Sequence, residues 1–225
     1  MRSIFIYIAV LFFSFSFSQK KELRQIKRLI DEKFFQEAES TLESNKDFLL
    51  SGDSKTDAQY YYYATKIYTE IKSFKLAKNS LEELMSINSS YYNAEMKLDY
   101  KNLEEILVVA LVNAAVADNS SKKWMEGVDK LLLAYEMDKD NNVDYLYFAA
   151  SGAVNAENFD LALEYYLQLK EKNYTGIKDE YFITNVESGI EEKVTETEYK
   201  IYQSSKEYMN PRIGQTESRY PEIVK

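Results

Sequence analysis

Cysteine and histidine are both absent from the 225 residues of this sequence. Without cysteine the chain can form neither a disulfide bond nor a thiolate metal site. Without histidine it lacks the side chain that proteins use most often as a catalytic base and as a transition-metal ligand. The two absences argue against an enzyme, and we expect no catalytic residues, no metal ion and no cofactor.

Glycine, proline and positive charge are also in short supply. Six glycines and two prolines are too few for a turn-rich β fold, so their scarcity favours helices. The 28 basic residues are outnumbered by 37 acidic ones, which leaves a net charge of −9 that repels phosphate backbones and argues against a nucleic-acid partner. What the chain does have is 20 tyrosines and 12 phenylalanines, so apolar packing alone can stabilise it.

The N-terminal segment has the layout of a secretory signal peptide over residues 1–18. Arg2 precedes an apolar run from Ile4 to Phe17, and Ser16 and Ser18 are the small residues that a signal peptidase reads before Gln19. The alternative is an uncleaved membrane anchor. A membrane span needs about 20 apolar residues, whereas this run is shorter and contains serines. We therefore expect a periplasmic or secreted protein that meets the membrane only through its cleaved signal peptide.

A helix–turn–helix pattern occupies the stretch from Asp144 to Glu171. Leu146, Ala149, Ala150 and Ala153 share one helix face. Asn158 can then cap a second helix whose inner face carries Phe159, Ala162, Leu163, Tyr166 and Leu169. This pattern resembles the tetratricopeptide repeat (TPR), a 34-residue unit of two helices. The resemblance implies tight helix packing at Ala162, beside the larger Phe159 and Tyr166.

Three earlier units resemble the same repeat. Their small inner residues are Ala38, Ala77 and Gly127, and the aromatic residues Phe74 and Trp124 correspond to Phe159. We expect caps at Ser54, at Ser73 and at Asn102. The long interval between Ala77 and Gly127 implies an insertion over residues 88–102, either a loop or a longer first helix. The first unit is the weakest match, as terminal repeats often are.

These units predict an all-α fold, a TPR-like solenoid of helical hairpins coiled into a right-handed superhelix over residues 19–172. Residues 173–225 form a C-terminal extension. There the stretches 180–184 and 190–195 favour a small β-hairpin, with a continuing helix as the alternative. Residues 196–208 follow as a short helix that ends at Pro211 and Gly214. Pro221 is well placed as the first residue of a last helix, which is either the start of a further repeat or a frayed end.

In TPR proteins the first helix of each repeat lines a concave groove that receives a segment of another protein. The resemblance assigns to the groove the following positions: Gln59, Tyr62, Lys66 and Glu70; Val109, Val112 and Val116; Asp144, Tyr147, Ser151 and Asn155. We expect Tyr62 and Tyr147 to have no core role. These positions hold few of the Lys and Asn residues that grip a terminal carboxylate, so they favour an amphipathic or extended peptide. Alternatively, the valines are buried by a neighbouring helix.

Two other motifs have simpler explanations. Asp138, Asp140, Asn142 and Asp144 resemble the start of a calcium loop, but Val143 and Ala149 replace the diagnostic glycine and glutamate, which favours a solvated turn. Ser120 followed by Lys123 matches a serine acyl-enzyme motif without its companion triplet, and we interpret Ser120 as a capping residue.

The sequence therefore predicts an exported TPR-type adaptor without catalytic activity, which binds another protein or peptide in the envelope of a Gram-negative bacterium. It resembles the secreted TPR proteins of Bacteroidetes-type genomes in its signal peptide and repeat layout. The alternative is an envelope glycan-capture protein built on TPR-like helices, although those are lipoproteins and this chain has no cysteine for a lipid. The oligomeric state stays open.

Overall fold

The computed structural model describes residues 18–224, so all of the predicted signal peptide except Ser18 lies outside the described residues. The described chain is mostly helical, with one small antiparallel sheet. It divides into two compact units, the first ending at Tyr145 and the second beginning at Leu146. No helix within residues 18–224 is long and apolar enough to cross a membrane.

The first unit consists of helices joined by short turns. Its elements are α1 (18–31), α2 (Phe35–Ser44), α3 (Lys46–Leu50), α4 (Ser54–Glu70), α5 (Phe74–Ser86), a short 3-10 turn (Ser89–Tyr91), α6 (Ala94–Ser120) and α7 (Trp124–Met137). Helix α4 lies at the centre and contacts α2, α3, α5 and α6. Because neighbours cover it on several sides, it contributes Tyr62 and Ile67 to a core that also holds Ile26, Leu42 and Leu107.

The same turn recurs before α2, α5 and α7. In each turn a lysine, Lys33, Lys72 or Lys122, adopts a positive φ. The next residue donates its N–H to the carbonyl five residues back, as Ser73 does to Tyr68 at 2.8 Å. This is the Schellman arrangement, which satisfies the last carbonyls of a helix. In the second unit Glu157 and Asn158 form the same turn before α9, where Asn158 N–H bonds to Ala153 O at 2.9 Å.

Several predicted helix caps are wrong. Asp53, not Ser54, caps α4 by accepting from Thr56 N, and the Ser73 side chain makes no capping hydrogen bond. Helix α6 begins at Ala94 with Asn93 as its cap, so Asn102 lies inside the helix. The interval before Gly127 is therefore a longer helix and not a loop, because residues 94–105 are mostly good helix formers. The predicted cap at Asn158 is confirmed by its bond from Leu161 N.

The second unit packs two helices with a sheet and two short helices. Its elements are α8 (Val143–Asn155, which begins just before the division), α9 (Phe159–Glu171), β1 (Asp179–Asn185), β2 (Glu191–Val194), α10 (Glu196–Tyr202), β3 (Tyr208–Gln215) and α11 (Tyr220–Ile223). The strand order is β2-β1-β3, antiparallel throughout, with Tyr181 opposite both Val194 and Ile213. The predicted hairpin is confirmed, whereas Pro221 is the second residue of the last helix and not the first.

The C-terminal prediction missed the third strand. The expected helix over residues 196–208 ends at Tyr202, and residues 208–215 pair with β1. The register shifts by one residue between Phe182 and Thr184, opposite the segment that holds Asn210 and Pro211. Asn210 has φ 51°, as bulges often require, and β3 is an edge strand, where a proline need not donate to the ladder. Pro211 therefore bends a strand instead of ending a helix.

Candidate binding groove

A groove runs along α4 between α1 and α6, within the first unit. Its floor is the α4 stripe of Gln59, Tyr63, Lys66 and Glu70, and three cavities of about 450, 290 and 270 Å³ follow one another along it. From the first cavity to the second, the numbers of the lining residues rise on α1, on α4 and at α6. The three helices therefore run in the same direction. We call this surface the α4 groove.

The first and largest cavity has basic walls. Its lining includes the cations Lys20, Arg24, Lys27 and Lys55 and a single carboxylate, Asp53. Leu23, Tyr63 and Tyr91 also line it and give it an apolar component. Lys20 and Arg24 are exposed, and within residues 18–224 neither makes an ion pair. We call this space the basic cavity.

Asp53 is the one acidic side chain in the lining of the basic cavity, and it also serves as the cap of α4. Its Oδ1 accepts from Thr56 N and Thr56 Oγ1, both at 2.9 Å. The backbone hydrogen bond from Thr56 is the main reason why the pKa of Asp53 lies below its usual value. Burial raises the pKa of the neighbouring Tyr63 to about 12, so this phenol stays uncharged at neutral pH.

One ion pair crosses the groove between its two walls. Lys27 Nζ of α1 lies 3.0 Å from Glu95 Oε1 of α6, and Lys27 also reaches Asp31 at 3.4 Å. Burial by itself lowers the pKa of Lys27, but the hydrogen bonds and charges of Glu95 and Asp31 outweigh burial and raise it. The pair therefore links α1 to α6 across the groove.

The second cavity combines apolar and charged side chains. Ile30, Phe35, Leu103 and Ile106 line it together with Lys66 and Glu70. The third cavity continues along α6, past Ile106, Ala110, Asn113 and Ala117. The α4 groove thus changes from basic at the start of α4 to a lining with fewer charged side chains at its end.

Beside the groove, Tyr62 is buried with only 1% of its surface exposed. Its hydroxyl donates to Asp99 Oδ2 at 2.7 Å, and Lys66 Nζ lies 3.1 Å from the same oxygen. The expectation that Tyr62 has no core role is therefore wrong. Helix α6 covers that side of α4, so the groove stripe passes through Tyr63 instead. Gln59, Lys66 and Glu70 do line the cavities.

The predicted valines of α6 lie off the groove. The groove side of α6 carries Ile106, Ala110 and Asn113, one position away from the predicted stripe. Val112 packs partly buried against the core, whereas Val109 and Val116 are exposed. Val109 lines a separate cavity of about 370 Å³ with Asp138 and Tyr145. Residues 106–117 are apolar on almost every side, so the sequence carried no signal for the phase of this helix.

In the second unit the chain itself covers the predicted groove position Tyr147. The Tyr147 hydroxyl donates to Glu222 Oε2 at 2.5 Å, and the guanidinium of Arg219 lies 4.5 Å from its ring. Tyr147 is buried, so the expectation that it has no core role is wrong here too. Ser151 Oγ donates to Tyr147 O at 3.1 Å, Asn155 is exposed, and Asp144 is half-buried at the end of the first unit.

The residues expected at tight helix contacts behave differently from one another. Five of them are buried, namely Ala38, Ala77, Gly127, Ala162 and Phe74. A Cβ built on Gly127 would lie 3.3 Å from Ala115 O, so α6 and α7 approach closely there. Trp124 and Tyr166 are half-buried.

Phe159 does not pack as predicted, since 64% of its surface is exposed. The equivalent Phe74 lines a cavity with α6, which follows α5 and covers it. In the second unit α9 is followed by the strand β1, and no further hairpin covers Phe159 within the described part of that unit. Phe159, in the first turn of α9, is therefore exposed to solvent.

The basic residues of α1 are the part of the groove that sequence reasoning missed. Lys20, Arg24 and Lys27 recur at the spacing of one helix face, which is a signal that could have been used. Lys55 joins them only through the fold. No group of three or more acidic residues that could hold a metal ion occurs within residues 18–224. Searches against family models, curated proteins and solved structures find no match for this chain.

Proposed function

We propose that this protein is a non-catalytic interaction adaptor, built from stacked helical hairpins of the TPR type, whose α4 groove binds a segment of another protein. The observation that carries the proposal is the groove itself. Three parallel helices enclose a row of three cavities, and both charged and apolar side chains line it. An extended segment needs such a row of side-chain sites.

The recurring turns support the repeat architecture. The positive-φ residues Lys33, Lys72, Lys122 and Glu157 each stand five positions before one of the small residues Ala38, Ala77, Gly127 and Ala162. A shared turn followed at a fixed distance by a small buried residue is what repetition of one helix–turn–helix unit produces. The contacts of α4 with α5 and α6, and of α5 with α6, fit stacking of neighbouring hairpins.

Photo-crosslinking would test the groove directly. A photoreactive phenylalanine analogue would replace Gln59 or Glu70 in the groove, and as matched controls Lys75 or Asn79 on the exposed surface of α5. We expect both groove positions to crosslink one and the same protein from a cell-envelope fraction, and both α5 positions to leave it uncaptured. Equal capture from α5, or a different protein from every position, would contradict the proposal.

Export to the envelope is part of the proposal and has its own test. It rests on the layout of residues 1–18, and we expect the chain isolated from its native cells to begin at Gln19. Edman sequencing or intact mass measurement would establish the first residue. A glycan array probed with the same protein addresses the alternative, because saturable glycan binding that is lost on Gln59 or Glu70 substitution would favour a capture protein.

A further inference from the structure

We propose that the basic cavity binds an acidic stretch of the partner, a segment carrying several Asp or Glu side chains, and that Glu95 is the internal competitor of that stretch. This inference rests on the proposed function, because it specifies which kind of segment the α4 groove receives. It also assigns a role to the ion pair that crosses the groove.

The charge of the basic cavity is opposite to that of the protein. Four cations and one carboxylate line it, in a chain with a net charge of −9. The carboxylate, Asp53, offsets only one of the four cations, and Lys20 and Arg24 have no ion-pair partner within residues 18–224. Concentrating unpaired cations at one concave site is costly for the free protein, and an anionic ligand relieves that cost.

The dimensions favour a peptide over a small anion. A cavity of about 450 Å³ is far larger than one carboxylate or phosphate requires. From Thr56 to Glu70 the floor of the groove rises by about 21 Å at 1.5 Å per helical residue. An extended chain covers that distance with roughly six or seven residues. An acidic stretch in the basic cavity can therefore continue into the second cavity, which offers apolar side chains.

One of the four cations of the basic cavity, Lys27, is already paired with Glu95. Glu95 is a carboxylate held 3.0 Å from Lys27 across the groove, which is the contact that an acidic side chain of the partner would make. Binding of the partner must therefore compete with Glu95. Removing the Glu95 charge frees Lys27 and strengthens binding, whereas removing wall cations weakens it. General charge attraction would give the same signs, so a specific site is recognised only by comparison with a control that removes the same charges outside the basic cavity.

The test uses the purified full-length chain and a fluorescein-labelled octaglutamate peptide with an amidated C-terminus, followed by fluorescence anisotropy. Octaglutamine is the uncharged control peptide. The variants are Lys20→Gln with Arg24→Gln, and Glu95→Gln. The matched control is Lys21→Gln with Arg28→Gln, which removes the same two charges from exposed positions of α1 that do not line the basic cavity. Circular dichroism establishes that each variant is folded.

We expect octaglutamate to bind and octaglutamine not to bind. The Lys20/Arg24 variant should weaken binding about tenfold and the Lys21/Arg28 control by less than about twofold, while Glu95→Gln should strengthen binding about threefold. Binding should weaken as the salt concentration rises. No binding by either the parent or Glu95→Gln, or an equal loss in the control, would overturn the proposal.

Two further outcomes separate this inference from the adaptor function. If inorganic phosphate displaces octaglutamate at the same charge concentration, the basic cavity is a small-anion site and the peptide proposal is wrong. If Gln59 and Glu70 crosslink a partner whose capture is unchanged in the Lys20/Arg24 variant, the α4 groove still binds a protein and only the acidic specificity fails. Absence of any groove crosslink, with octaglutamate binding intact, would instead reject the adaptor function.

Discussion

Tyr62 shows how one side chain can combine packing with charge. Its ring is buried between α4 and α6. Its hydroxyl donates a hydrogen bond to the carboxylate of Asp99, which Lys66 also contacts. Burial and the hydrogen bond to Asp99 raise the pKa of Tyr62, so the phenol keeps its proton and donates a hydrogen bond to Asp99. The residue thus fastens the central helix to one wall of the groove.

Tyr62→Ala should destabilise the protein strongly. Truncating a buried aromatic ring leaves a cavity and costs about 3 kcal/mol or more. Tyr91→Ala is the comparison, because 45% of the Tyr91 surface is exposed and its loss should cost under about 1 kcal/mol. Urea unfolding of the two variants measures both values, and similar midpoints would contradict the burial of Tyr62.

Asp99→Asn should make stability less dependent on pH. The hydrogen bond from Tyr62 is the main reason why the pKa of Asp99 lies below its usual value, with Lys66 contributing. A lowered pKa means that the ionised form stabilises the fold above the unfolded pKa, and that this contribution is lost as pH falls through the folded pKa. The variant should therefore lose about 1–2 kcal/mol at pH 7 and less at about pH 3, because the contribution of the ionised form declines as the pH falls below the unfolded pKa.

The control for this effect is Asp129→Asn, on an exposed position of α7. Its unfolding free energy should follow that of the parent at both pH values. A loss for Asp99→Asn that is the same at pH 7 and pH 3 would show that the carboxylate charge is not what matters there.

At the scale of elements, β3 illustrates how a strand can accommodate a residue that would end a helix. Its pairing with β1 continues on both sides of the bulge, and Arg212 forms an ion pair with Glu191 at 2.8 Å. The bulge places Asn210 in the left-handed region, which asparagine tolerates better than most residues. The conformation of one residue therefore sets the path of the edge strand.

Asn210→Gly and Asn210→Val should have opposite effects. Glycine adopts positive φ freely, so Asn210→Gly should leave the melting temperature unchanged or slightly higher. Valine is β-branched and should cost about 1–2 kcal/mol at this φ. Thermal melting of both variants decides the matter, and equal melting temperatures would mean that the bulge is not formed in solution.

At the scale of the whole molecule, stability must come from packing of apolar and aromatic side chains, because the sequence has no cysteine and no histidine. We predict that EDTA and dithiothreitol leave the melting temperature unchanged. A shift with EDTA would reveal a bound metal ion that the composition does not suggest, and calcium titration would then identify it. In a control titration of the parent without EDTA, added calcium should not raise the melting temperature.

Helix periodicity and turn chemistry act over a few residues, so the sequence by itself determined what depends on them. The alanine face of α8, the Asn158 cap of α9 and the paired strands β1 and β2 all follow from neighbouring residues. The resemblance to the repeat, in turn, identified the small residues Ala77 and Ala162, which are buried.

Only the tertiary structure decided which face of α4 and α6 lines the groove. Both helices carry apolar or aromatic residues on several faces, and the side that becomes buried depends on which neighbours cover it. The tertiary structure also brings Lys55 to Lys20 and Arg24, because α1 and α4, which are apart in sequence, both line the basic cavity. For the same reason β3 was missed: its hydrogen bonds are made with β1, about 30 residues earlier, and no local pattern around Pro211 contains that pairing.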